Sequence, residues 1–110
     1  MTIGVIGSRN FKDYELLKST LDKLDINCIV SGGARGADSL AEKYANENNI
    51  NTIIFKPDWS LGKGAGFIRN AKVINISDKI VAFWDGISKG TSHSIELAKK
   101  QNKEILYVRF

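Results

Sequence analysis

The chain is short of several residue types. It has one cysteine, one proline, one histidine and one methionine among 110 residues. A lone cysteine cannot close an intramolecular disulfide, so the fold must rest on packing. Cys28 lies in the apolar run Ile26–Val30, the setting of a small core residue rather than a nucleophile. With one histidine and one cysteine, a metal site built from those ligands is not expected. No apolar run approaches the ~18 residues of a membrane span. The apolar start, Thr2–Gly7, is broken by Ser8-Arg9-Asn10 too early for a signal peptide. A soluble, cytoplasmic protein is therefore expected. Basic runs of five or six residues are missing too, which argues against a disordered nucleic-acid arm.

What is present is ordinary in amount. Apolar residues make up 43% and charged residues 25%, as in globular proteins generally. The length points to one domain over residues 1–110. A chain of this size buries roughly two-thirds of its unfolded surface, enough to need no metal or disulfide as a staple. The net charge of +4 suits a phosphorylated or polyanionic partner but is a mild excess.

Five apolar runs read as strands: Thr2–Gly7, Asn27–Ser31, Asn51–Phe55, Lys79–Trp84 and Glu104–Arg109. The first four are continuous rather than alternating, which predicts parallel strands buried on both faces. Helical spacing fills the gaps. Leu17, Leu21 and Leu24 repeat along Asp13–Leu24, and Leu40, Ala41, Tyr44 and Ala45 along Gly36–Asn48. Phe67, Ala71 and Ile74 repeat along Gly66–Ile76, and Ile95 and Ala98 along Thr91–Gln101. Asp38 and Thr91 are candidate caps. Alternating elements predict an α/β, Rossmann-like three-layer sandwich around a five-stranded parallel sheet of order 3-2-1-4-5. Ligands of such sheets bind outside the carboxyl ends of the strands, where the order reverses.

The loops at that edge carry the chemistry. Gly7-Ser8-Arg9-Asn10 follows the first strand, and Gly32-Gly33-Ala34-Arg35-Gly36-Ala37-Asp38 the second. Asp85-Gly86-Ile87-Ser88-Lys89-Gly90-Thr91 follows the fourth. Glycines let the backbone approach a ligand, and free N–H groups at a helix start attract phosphate. Two glycine loops, each opening a helix, therefore predict a phosphate site, with Arg9 and Arg35 as forked donors. Neither loop is a Walker A or a GxGxxG fingerprint. The loop after the third strand holds Trp59, which either stacks on a base or packs as an apolar cap. Arg69-Asn70 opens the next helix at the same edge. Asp85 and Asp38 are candidates for ribose hydroxyls, with loop solvation and helix capping as the plain alternatives.

The stretches GSRNF, VSGGARGADSLAEKYA, PDWSLGKGAGFIRN and FWDGISKGTSHSIELAKK together resemble the YspA-like branch of the SLOG superfamily, from about Ile3 to Val108. That superfamily includes LOG-type phosphoribohydrolases and SMF DNA-processing proteins. The resemblance implies a Rossmann-like fold and a pocket for nucleotides or nucleotide-derived ligands such as ADP-ribose-like molecules. It places Gly7, Ser8 and Arg9 on the pocket floor and Gly32, Gly33, Arg35, Gly36 and Asp38 on a second wall. Arg69 and Asn70 match an Arg-containing helix motif, and Gly90 and Thr91 the phosphate-binding Gly-Thr. LOG-type hydrolases read GGxGTxxE, and the position of that glutamate is Ser94 here. His93 lies one residue before it and Glu96 two after.

The expected function is binding of a nucleotide-derived ligand, as a sensor or a sequestering module, with Gly86, Ser88 and His93 among the contacts. For His93, ligand contact is preferred over chemistry, and chemistry over a metal. The alternative is a nucleotide-processing hydrolase, with Arg69, His93, Asp85 and Glu96 as catalytic candidates. A DNA-binding module ranks third, because no aromatic-basic interleaving accompanies the charge. A carboxylate-held Mg²⁺ is compatible with the sequence but unsupported by it. The final LYVRF is an apolar edge that a homodimer would cover.

Overall fold

All five apolar runs become strands of one parallel sheet in the computed structural model, which describes residues 1–110. In chain order the elements are β1 (Thr2–Gly7), α1 (Tyr14–Leu21), β2 (Cys28–Ser31), α2 (Ala37–Glu47) and β3 (Asn51–Ile54). A short 3-10 turn (Trp59–Leu61) leads to α3 (Ala65–Ile76), β4 (Lys79–Trp84), α4 (Lys89–Lys100) and β5 (Glu104–Arg109). The strand order is β3-β2-β1-β4-β5, and every pairing is parallel. Gly7 pairs with Phe83, so the carboxyl ends of β1 and β4 lie side by side at the reversal point.

Period-two alternation divides the strands between two cores. Ile3, Val5, Val81 and Phe83 face one side, where Leu17 and Leu21 of α1 and Ala41 and Tyr44 of α2 cover them. Ile6, Ile80 and Ala82 face the other, under Val73 and Ile74 of α3 and Ile95 and Ala98 of α4. Each fully buried Val, Ile or Phe contributes roughly 1.5–3 kcal/mol. Phe11 stacks on Phe83 at 4.8 Å between ring centroids and takes the edge of Phe110 at the same distance. That contact pins the loop after β1 to the core.

Three local expectations change. β3 is not buried on both faces: it is an edge strand, exposed at all four residues, because nothing pairs with its outer side. Asp38 does not cap α2. Gly36 does, at φ +76°, and a Cβ there would lie 2.6 Å from the Arg9 carbonyl oxygen, so only glycine fits. Thr91 does not cap α4 either, since the helix begins two residues earlier after Ser88. The reason lies in the preceding loop: Asp85 folds back on Ile87 and Ser88 and turns the chain into helix at Lys89. No helix is long and apolar enough to cross a membrane.

Candidate functional site

The loops after β1, β2 and β4 meet the start of α3 around a crevice of about 470 Å³. Gly7, Ser8, Arg9 and Asn10 form one side, and Gly32, Ala34 and Asp38 another. Arg69 and Asn70 of α3 and Asp85, Ser88, Gly90 and Thr91 around α4 complete it. Most of the predicted residues are therefore brought together.

Ser8 is the hub. It is buried, and its hydroxyl accepts from the Asp85 N–H at 3.3 Å. Its N–H donates to Phe83 O at 2.9 Å, and its carbonyl accepts from Phe11 and Ala37. One residue thus locks three loops into register. Trp84 and Asp85 rigidify the fourth-strand loop in a similar way. The Trp84 indole donates to Ser88 O at 3.2 Å. Asp85 Oδ1 accepts from the N–H groups of Ile87 and Ser88, both at 2.8 Å, and Oδ2 from the Ser88 hydroxyl at 3.0 Å. These backbone bonds, Ser88 first, hold the Asp85 carboxyl down to about 2. Such a group stays ionised, and its lone pairs go to the loop, which suits an anchor better than a general acid.

What the loop presents is the start of α4. Ser88 makes no side-chain cap, no acidic residue lies in the first turn, and the first loop-to-helix bond is Ser92 N–H to Ser88 O. The N–H groups of Lys89, Gly90 and Thr91 precede that bond and carry the positive end of the helix dipole. The start of α2 differs. Asp38 sits in its first turn, and Ala37 N–H already donates to Ser8 O. Of the two glycine loops, the one at α4 leaves its first-turn N–H groups open to an acceptor.

Arg69 reaches across from α3. Its Nη1 donates to Gly32 O at 2.5 Å and its Nε to Asn70 Oδ1 at 2.8 Å, and neither bond uses Nη2. A Cβ on Gly32 would lie 2.7 Å from Arg69 Cδ, so that glycine makes room for the arginine. Burial lowers the Arg69 pKa, Asp38 opposes the shift and Arg9 adds to it. Asp38 is buried beside this guanidinium and accepts from Ala34 N–H at 3.1 Å. Burial pushes its carboxyl up to about 6, against the opposing pull of that hydrogen bond and of Arg69.

Several predicted residues lie elsewhere. His93 is not in the crevice: its ring packs on Phe67 of α3 at 4.3 Å, and its Nδ1 is buried without a hydrogen-bond partner. Glu96 points to solvent and lies 3.8 Å from Lys99. Gly86, at φ +84°, packs its open side against the Arg109 guanidinium. Gly36 supports the Arg9 backbone from behind. Gly33, Arg35 and Trp59 line a second cavity that adjoins the first. Helix phase explains α4. Thr91, Ser94, Ile95 and Ala98 form its buried face, and His93 lies about 200° from Ile95. The same phase turns Ser94, the position of the LOG-type glutamate, into the crevice, and Lys89 and Asn10 are lining residues not singled out from the sequence. No three His, Cys, Asp or Glu side chains gather as a metal-ligand set.

Residues 1–62 match the family model described as "YspA, cpYpsA-related SLOG family". The chain belongs to this family. The Gene 61 protein of Mycobacterium phage D29 is 33% identical over 108 residues, covering 87% of this chain and 86% of that protein. A B3 domain-containing protein of Arabidopsis thaliana is 36% identical over 55 residues, which is 50% of this chain and 34% of that one. Among solved structures, DNA processing protein A from Helicobacter pylori, described for its single-stranded DNA binding mode, superposes with a TM-score of 0.69 at 24% identity. The superposition covers 97% of this chain and 64% of that chain, and it shows the shared α/β fold.

Proposed function

We propose that this SLOG protein binds a nucleotide or nucleotide-derived ligand, such as an ADP-ribose-like molecule, as a sensor or a sequestering module. The observation that carries this reading is the uncapped start of α4 opening into a crevice bordered by Arg9 and Arg69. A phosphate at Gly90-Thr91 meets backbone donors, a helix dipole and guanidinium groups, while both crevice carboxyls are engaged or buried. The position where LOG-type hydrolases carry a glutamate holds Ser94, which is nearly fully buried, so the crevice has no free carboxylate at that point.

Asp38 favours a second reading, a nucleotide-processing hydrolase. A buried carboxyl near pH 6 beside an arginine is placed to hold or deliver a proton. The solved neighbour is described for its single-stranded DNA binding, so a short single strand belongs in the ligand panel.

A thermal-shift screen against mononucleotides, ADP-ribose and a short oligonucleotide tests the reading, followed by chromatography of each hit. A ligand that stabilises and is recovered intact is expected. Recovery as base and sugar phosphate would make the protein an enzyme. Gly90→Glu should abolish binding, because it sets a negative charge at the anion seat. Arg69→Ala should weaken it by about 1.5–3 kcal/mol. Wild-type affinity in a folded Gly90→Glu protein would remove the phosphate from α4.

A further inference from the structure

Beside the crevice lies a second cavity of about 450 Å³, which shares Arg9, Ala34 and Arg69 with it. Arg35 and Lys56 add two more cations, and no carboxylate lines it. Its one aromatic wall is Trp59, which is 61% exposed. An indole this open is not a core residue, and its contact with the first turn of α3 leaves most of its surface uncovered. Its position is nonetheless built. Asp58 caps the turn that carries it, accepting from Ser60 N–H at 3.1 Å and from the Ser60 hydroxyl at 2.6 Å. A Cβ on Gly66 would lie 3.8 Å from the Trp59 ring and 3.9 Å from Arg69 Nη2. Ring and guanidinium therefore border the same space.

We infer that this cavity is a nucleobase subsite, in which a base stacks on Trp59 and its phosphates run past Arg9 and Arg69 into the crevice. The inference rests on the nucleotide reading above and adds the ligand's second half. A planar wall selects a flat ring by its π-face. The surrounding cations select negative charge and disfavour an acid-free apolar peptide. Two cavities joined by shared arginines fit a molecule with a base at one end and phosphate at the other. Ribose phosphate alone would leave Trp59 uncovered. A small nucleotide and a nucleotide within a single strand share this chemistry.

Calorimetric titrations of wild type, Trp59→Ala and Trp59→Phe with ADP, ADP-ribose, ribose 5-phosphate and a thymidine tetranucleotide test the assignment. Trp59→Ala should weaken binding of the base-containing probes roughly ten- to hundredfold, the range of one base–aromatic stack. Ribose 5-phosphate should be unaffected, and Trp59→Phe should recover most of the loss. An unchanged melting temperature is expected for both variants, since the side chain is exposed. Dependence on Trp59 with ADP or ADP-ribose assigns the base to a small nucleotide, and dependence with the tetranucleotide alone assigns it to a single strand. If ADP binds but Trp59→Ala leaves its affinity unchanged, or weakens ribose 5-phosphate equally, the subsite is wrong and the crevice reading stands. If no probe binds wild-type protein, both fall.

Discussion

Asp38 shows how burial of one residue can tie the stability of the site to pH. Its carboxyl lies near 6 in the fold, against an ordinary value of 3.8. Between these values the folded chain holds a proton that the unfolded chain has released. The stability Asp38 allows is therefore complete below about pH 4 and falls as pH rises through 6. The loss is on the order of 3 kcal/mol. Asp38→Asn keeps an acceptor for Ala34 N–H and removes the ionisation. The melting-temperature gain of the variant over wild type should be near zero at pH 4 and positive at pH 7. A gain independent of pH would mean that Arg69 compensates the charge completely.

At the scale of elements, the two glycine-opened helices look alike in sequence and differ in kind. Gly36 before α2 is held at positive φ, and any Cβ would collide with the backbone of Ser8 and Arg9. Gly90 lies inside the first turn of α4, and a Cβ there would meet nothing within 4 Å. Alanine should therefore have opposite effects at the two positions. Gly36→Ala should cost about 2–4 kcal/mol through strain and overlap. Gly90→Ala should be neutral or stabilise by up to about 1 kcal/mol, because alanine is the better helix former. Urea unfolding of the two variants measures the difference. Equal losses would mean that the start of α4 is as crowded as that of α2.

At the scale of the molecule, β1 is flanked by β2 and β4, carries both cores, and ends in the loop that Ser8 ties to its neighbours. The edge strand β3 is exposed along its length. Amide exchange should be slowest in Val5 and Ile6 of β1 and in Ile80–Phe83 of β4, and faster in β3. A ligand in the crevice should add protection at Ser8, Gly90 and Thr91 together, because one hub couples those loops. Protection confined to one loop would argue against a shared site.

Much of this was legible in the chain itself. Thr2–Gly7, Lys79–Trp84 and Glu104–Arg109 are strands at the boundaries their apolar runs suggest, and turn residues end the first two sharply. The sheet order followed from alternation and the handedness of crossovers, and the clustering of glycine loops followed from the order. Other features depended on which side of an element faces what. Burial of β3 failed because a continuous apolar run reads the same at the centre of a sheet and at its edge. His93 and Glu96 left the site because the inward face of α4 runs through Thr91, Ser94, Ile95 and Ala98. Asp38 changed from a cap to a buried carboxyl because Gly36 could take a backbone conformation closed to other residues. The grouping of Trp59 with Arg9, Arg35, Lys56 and Arg69 joins four separate stretches of chain. Local sequence determined the elements through short-range sterics and periodicity. Only the packed structure decided which side chains share a cavity, because that depends on helix phase and on contacts between residues far apart in the chain.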